Sequence, residues 1–279
     1  MHIFVTGGTG FIGSHFLNSE ESQGHQITAI KRGGSKPCLT LIQAPTWLEK
    51  PLDSITVDDF KGVDALVHFA SPGVSPRVAP WSELIHWNVN VTLDLMIHAK
   101  AAGVKRVIIA GTFAEYGRSA DRYDLIPPDA PLEPTYGYAA SKAAASVAVQ
   151  AFAIEQKMEL GYLRIFSAFG EGQYEGNFWP ALRKAALAGD DFEMTLGEQI
   201  RDYMPVEKVA QSFWNAVTSL DITPGFPYVA NVGSGKPTSM KEFAEYWWKQ
   251  WNASGALKYG ALPYREGEVM RFVPQVTPL

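Results

Sequence analysis

The sequence predicts an α/β protein built on a doubly wound parallel sheet, followed by a smaller C-terminal lobe. Three observations predict this. Short apolar runs alternate with helix-patterned segments through the first 170 residues, a glycine-rich turn follows the first run, and Gly, Pro and aromatic residues become frequent afterwards. Strands separated by helices imply βαβ units. Parallel strands are buried on both faces, so they read as continuous runs such as Val107-Ile108-Ile109 rather than alternating ones. In chain order, strands are expected at 2–6, 26–30, 65–69, 106–110 and 161–166, with helices at 11–19, 82–102 and 138–157. Two further helices, 206–220 and 239–251, sit among irregular segments of the second part.

Composition narrows the class. The 279 residues are 46% hydrophobic and 19% charged, an ordinary globular balance. A chain this long buries a sizeable core without disulfides or metals. The single Cys38 has no internal partner and reads as a free thiol in a reducing compartment. A net charge of -5, with no run of like charges, argues against nucleic acid as the main partner. The six histidines show no ligand spacing, so no metal is expected. No apolar stretch is long enough to cross a bilayer. The first strand has no basic segment before it, so no secretion signal is expected and the cytoplasm is the expected location.

The stretch Val5-Thr6-Gly7-Gly8-Thr9-Gly10-Phe11-Ile12-Gly13 follows the first strand and opens the first helix. Glycines there allow a tight turn and close backbone approach, and the helix N-terminus offers N–H groups to a pyrophosphate. A Rossmann-like dinucleotide-binding domain over 1–170 is therefore expected, with 171–279 forming mainly a substrate-binding lobe and some segments returning to the sheet. NAD sites usually carry an acidic residue at the end of the second strand. Here Lys31-Arg32 stand in its place, so a cofactor 2′-phosphate, and hence NADP(H), is favoured over NAD(H), with Arg32 ahead of Lys31.

Tyr138-Ala139-Ala140-Ser141-Lys142 places a phenol and an ammonium four residues apart on one helix face. An adjacent ammonium would lower the tyrosine pKa toward neutrality and fit it for proton transfer at a substrate oxygen. Thr112 ends a strand at the sheet edge and can bond the same oxygen. Together with the glycine turn, His68-Phe69-Ala70 and Asn88-Val89, these residues resemble the extended short-chain dehydrogenase/reductase superfamily, in its NDP-sugar epimerase/dehydratase/reductase branch. The resemblance covers nearly the whole chain. It implies Thr112, Tyr138 and Lys142 as the catalytic triad. It also implies a cofactor site of Gly7, Gly10, Phe11, Ile12, Gly13, Phe69 and Ala70 with Tyr138 and Lys142.

Later segments resemble the branch's substrate motifs. Leu163-Arg164-Ile165-Phe166-Ser167-Ala168-Phe169-Gly170 is similar to L-R-x-F-N-x-Y-G with Ser167 for Asn, and Asn177-Phe178 to the following loop. Gln199-Ile200-Arg201-Asp202-Tyr203 is similar to Q-x-R-D-F, and Arg265-Glu266-Gly267-Glu268 to R-x-G-[DE]. The resemblance implies Arg201 and Arg265 converging on a substrate diphosphate, with Ser167 beside it, Asn177 in the following substrate loop and Thr112 at the reacting oxygen. It further implies a homodimer through the 82–102 and 138–157 helices. In the family's 4,6-dehydratases Asp-Glu follow the threonine. Phe113 and Ala114 stand there in this chain, and Glu115, one place on, points to the other face if the strand continues. Dehydration is thereby disfavoured. The expected reaction is NADPH-dependent reduction of an NDP-4-keto-6-deoxy sugar. The alternatives are an NAD-dependent NDP-sugar 4-epimerase and, further off, a non-catalytic NADP-binding regulatory protein.

Overall fold

The computed structural model describes residues 1–74, 76–265 and 267–276. The first half runs β1 (His2–Thr6), α1 (Phe11–Leu17), β2 (Gln26–Lys31), β3 (Thr46–Glu49), β4 (Ala65–His68), α2 (Trp81–Ile85), α3 (Thr92–Ala101), β5 (Arg106–Thr112), α4 (Gly137–Gln156) and β6 (Glu159–Ile165). The second half runs β7 (Ser167–Phe169), α5 (Phe178–Ala188), β8 (Phe192–Glu193), β9 (Ile200–Arg201), β10 (Tyr203–Pro205), α6 (Val206–Thr218), β11 (Tyr228–Val232), β12 (Thr238–Ser239), α7 (Met240–Gln250), β13 (Leu257–Lys258) and β14 (Arg271–Phe272). Seven parallel strands form the central sheet in the order β11-β6-β5-β4-β1-β2-β3. This is the doubly wound order, in which the strand sequence reverses beside β1 and a ligand crevice opens at the strands' C-terminal ends.

Each face of the sheet is covered. On one side Phe16 of α1 stacks on Trp214 of α6 at 4.2 Å, and the indole N–H donates to the Phe16 carbonyl at 3.0 Å. On the other, Phe4, Leu66 and Val107 pack with Leu95 and Met96 of α3 and Val149 of α4. All are buried, which accounts for the unbroken apolar runs of the strands.

Two strands of this sheet carry weak sequence signals. β3 is a half-exposed edge strand of four residues, with no apolar run to mark it. β11 lies far along the chain, yet it returns to pair with β6, and α6 before it packs on α1. The expected helix 82–102 is α2 and α3 joined by a π-helical turn, His86–Val91, which holds Asn88 buried. Such turns recur where a helix must aim a side chain at a functional site. α5 tolerates Pro180 because the first helical turn has N–H groups with no intrahelical partner to lose.

Candidate active site

The glycine turn sits at the C-terminal end of β1, at the crevice. Gly7 has φ of +70°, and a Cβ there would lie 2.6 Å from the Ala70 nitrogen. A Cβ on Gly13 would overlap the Gly7 carbonyl. The Gly10 N–H donates to that carbonyl at 2.9 Å, and α1 then begins at Phe11 with no side chain capping it. The first-turn N–H groups are thus left for an anion. Ile12 packs on the core, and Phe11 meets the His15 ring edge-on. Residues 68–70 are tied to the turn: Thr6 Oγ1 is 2.6 Å from His68 Nδ1 and accepts from the Ala70 N–H at 3.3 Å. Burial, with Lys142 nearby, pushes His68 down to about 3, so it stays neutral. These residues fit a dinucleotide.

At the end of β2 the two cations stand in different surroundings. Register puts Lys31 opposite Glu49 on β3, where they pair at 3.3 Å, and the ammonium lies 5.6 Å from the Trp47 ring centre. Arg32 is exposed and makes no ion pair among the described residues. Glu49 had no sequence signal because β3 itself had none.

Thr112 ends β5 at the crevice. Tyr138 and Lys142 share one face of α4, and Lys142 is 2% exposed. The hydroxyls of Ser71 and Thr112 face the Tyr138 phenol. Ser71 Oγ donates to Asn88 Oδ1 (2.7 Å), Asn88 Nδ2 to Ser141 Oγ (2.9 Å), and Ser141 Oγ to the Tyr138 carbonyl (2.8 Å). The structure therefore gathers Thr112, Tyr138 and Lys142, and adds Ser71 and Asn88.

The electrostatics differ from the expectation. Burial pushes the Tyr138 phenol well up, with Tyr136 and the Glu115 carboxylate adding to the rise. Burial pushes Lys142 down to about 8 against the opposing pull of Glu115. Desolvation is the largest cause of the rise, so the Tyr138 phenol is neutral at pH 7.

The strand does not continue to Glu115. β5 stops at Thr112, and a 3₁₀ turn, Phe113–Tyr116, brings the Glu115 carboxylate back to accept from the Thr112 N–H at 2.8 Å. The residue is fully buried. Phe113 packs on Phe166 and Phe272, at centroid distances of 5.5 and 4.7 Å.

On the substrate side, Ser167 lies on β7 opposite Tyr203, and Asn177 is the N-cap residue of α5. The two arginines do not stand as a free pair. Arg201 contacts Glu268 at 3.2 Å and donates to the carbonyls of Val269, Met270 and Ile200. Arg265 is exposed near Tyr136. Glu266 lies outside the described residues. Asp202 of the same motif is a buried anchor, accepting from the N–H groups of Ser234 and Lys236 and the Ser234 hydroxyl.

A Rossmann crevice with a glycine turn on one side and a Tyr-Lys helix face on the other defines a nicotinamide-dependent enzyme of the extended short-chain dehydrogenase/reductase type. The chain belongs to the NAD dependent epimerase/dehydratase family, whose profile matches residues 3–233. It is 26% identical over 279 residues to CDP-abequose synthase of Salmonella muenchen, across 96% of this chain and 87% of that one. It is 24% identical over 283 residues to dTDP-6-deoxy-L-talose 4-dehydrogenase (NAD(+)) of Aggregatibacter actinomycetemcomitans, across 97% and 98%. Among solved structures, MoeE5 in complex with UDP-glucuronic acid and NAD matches with a TM-score of 0.83 and 29% identity, across 99% of this chain and 90% of that one. No helix among the described residues is long and apolar enough to cross a membrane.

Proposed function

We propose that the enzyme reduces the 4-keto group of a nucleotide-diphospho-4-keto-6-deoxy sugar. The observation that carries this reading is the Tyr138 phenol facing the Thr112 and Ser71 hydroxyls, with the apolar Phe113 and Ala114 where a dehydratase needs proton carriers. A bound nicotinamide cofactor supplies the hydride. Thr112 and Ser71 hold the carbonyl oxygen, and Tyr138 gives it the proton as negative charge develops. The Lys142 ammonium stabilises the phenolate left behind and holds the nicotinamide ribose. One relative's name places a dehydrogenation at C4 of a 6-deoxy sugar nucleotide, the reverse of this reduction.

Arg265 and Arg201 are assigned to the diphosphate, with Ser167 and Asn177 beside it. Arg201 must exchange Glu268 for the ligand. Residues 1–170, joined by the returning β11, are assigned to the cofactor, and 171–279 mainly to the substrate. The preference for NADP(H) rests on Arg32, since Glu49 neutralises Lys31. The second reading, an NAD-dependent 4-epimerase, draws on the family and on the NAD held by MoeE5. A regulatory protein would have no chemical need for all three of Thr112, Tyr138 and Lys142.

Incubation with an NDP-4-keto-6-deoxyhexose should consume NADPH stoichiometrically, and faster than NADH. No consumption, together with C4 inversion of an NDP-hexose at catalytic NAD, would establish the epimerase.

We further assign a homodimer to the outer faces of α3 and α4. Ala144, Val147, Ala151 and Ile154 form an exposed stripe at three-four spacing on α4, with Val147 62% and Ile154 56% exposed. Ile97 of α3 is also exposed. Val147→Glu should convert a dimer into a monomer in sedimentation. An unchanged mass would remove this face from the assembly.

A further inference from the structure

A buried polar cluster adjoins the reacting face: Thr112, Tyr162, Arg164 and Ser146 gather on Glu115 and its partners. Glu115 is fully buried, and its two carboxylate oxygens serve separate elements. Oε1 accepts from the Thr112 N–H at 2.8 Å and stands 2.9 Å from the Tyr162 hydroxyl. Oε2 accepts from Arg164 Nε at 2.7 Å. Arg164 Nη2 then donates to Ser146 Oγ at 3.1 Å, and Nη1 to the Pro128 carbonyl at 2.8 Å and the Tyr116 hydroxyl at 3.2 Å. The Tyr162 hydroxyl is also 3.1 Å from the Lys142 carbonyl.

Ser146 stands one helical turn beyond Lys142, which stands one turn beyond Tyr138, so all three share a face of α4. The cluster therefore grips both halves of the reacting site. It holds the Thr112 turn through a backbone N–H, and the Tyr138–Lys142 face through Ser146 and the Lys142 carbonyl. A buried ion pair is costly to desolvate and contributes little to stability compared with apolar packing of the same volume. A bland explanation of Glu115 as a stabiliser is thus weak, and an organising role is the better account.

We propose that Glu115 is a positioning residue for the reaction: with Arg164 and Tyr162 it sets the Thr112 hydroxyl and the Tyr138–Lys142 face at their working spacing. The role rests on the reductase reading for its turnover assay, but not for its structural readout. The charged and titratable groups facing Lys142 are Glu115 on the 3₁₀ turn, neutral His68 on β4 and Tyr138 on its own helix, with Arg164 and Tyr162 behind Glu115. Burial pushes the Glu115 carboxyl up, and Arg164 pulls it back toward ionisation. Its charge raises both Lys142 and Tyr138, so removing it should move both titrations to lower pH.

Glu115→Gln keeps an acceptor for the Thr112 N–H and removes the charge. The variant should bind NADPH within a few-fold of wild type, measured by cofactor fluorescence, because the glycine turn is remote from the change. Its kcat should fall about ten- to a hundredfold with KM little altered, as small misplacements of reacting groups do. The Lys142 titration, followed by NMR of [ε-13C]lysine-labelled protein, should shift to lower pH. Wild-type kcat with an unmoved Lys142 titration would overturn the proposal. If the single variant does not fold, Glu115→Gln with Arg164→Met removes both charges together; that protein should bind cofactor and stay slow, and wild-type turnover in it would overturn the proposal. A wild-type enzyme silent on every sugar nucleotide would reject the reductase reading alone. The Lys142 titration would still decide the role of Glu115.

Discussion

Replacing Tyr138 with Phe should lower turnover by about 10²–10⁴-fold, the contribution expected of a positioned general acid, while cofactor affinity stays within a few-fold of wild type. The substitution keeps the ring, its stacking on Tyr136 at 6.4 Å and the α4 backbone. Only the hydroxyl facing Ser71 and Thr112 is lost. Phe113 and Ala114 carry no acidic group to replace it, and the Glu115 carboxylate is engaged with the Thr112 N–H, Tyr162 and Arg164. The pH dependence of the wild type supplies an internal check. Lys142 is pushed down to about 8, so below that pH it is an ammonium able to stabilise the phenolate, and above it that charge is lost. Reductive turnover should therefore decline as pH rises through about 8, and the residual rate of the Phe variant should not follow the same limb. Survival of more than a tenth of the wild-type rate in the variant would remove Tyr138 from the chemistry.

The legible parts of this molecule are those dictated by local chemistry. A glycine turn between an apolar strand and a helix has few other uses, and Tyr138 and Lys142 share a face simply because they are four apart. The strands buried on both faces announced themselves as apolar runs. What stayed hidden depended on pairing between distant segments. Glu49 reaches Lys31 only through the register of β3 on β2, and β3 has no pattern because it is a half-exposed edge. β11 was hidden by its place after the lobe had begun. The place of Glu115 depends on where the strand stops, which the residues do not mark, and the pKa of Tyr138 depends on burial, whereas spacing reports only neighbours. Arg201 shows the same limit: its motif identifies the cation, but only the fold reveals the Glu268 carboxylate that holds it.

Gly13→Ala should cost about ten- to a hundredfold in dinucleotide affinity, the scale that overpacking of about 1–3 kcal/mol sets at the turn. Helix propensity alone predicts the opposite sign, because alanine is favoured over glycine in a helix interior by about 1 kcal/mol, and Gly13 lies inside α1 without a positive φ. Packing overrides propensity here. The added methyl would overlap the Gly7 carbonyl and lie 2.8 Å from the Gly7 carbonyl carbon and 2.9 Å from the Gly8 Cα. All of these are backbone atoms, so no rotamer change relieves the clash. Overpacking of this kind typically costs about 1–3 kcal/mol, which matches or exceeds the propensity gain, and a clash with fixed backbone atoms falls toward the upper end. Relief requires α1 to move away from the turn. That motion breaks the Gly10 N–H bond to the Gly7 carbonyl, or displaces Gly7 from the 69–70 backbone against which it is packed. Either outcome misplaces the N–H groups available to the pyrophosphate. Gly24→Ala is the matched control, because a Cβ there meets nothing within 4 Å, and its affinity and Tm should be unchanged. Calorimetric titration of both variants with NADPH and NADH separates the two cases. Wild-type affinity in Gly13→Ala would mean that the turn does not hold the cofactor.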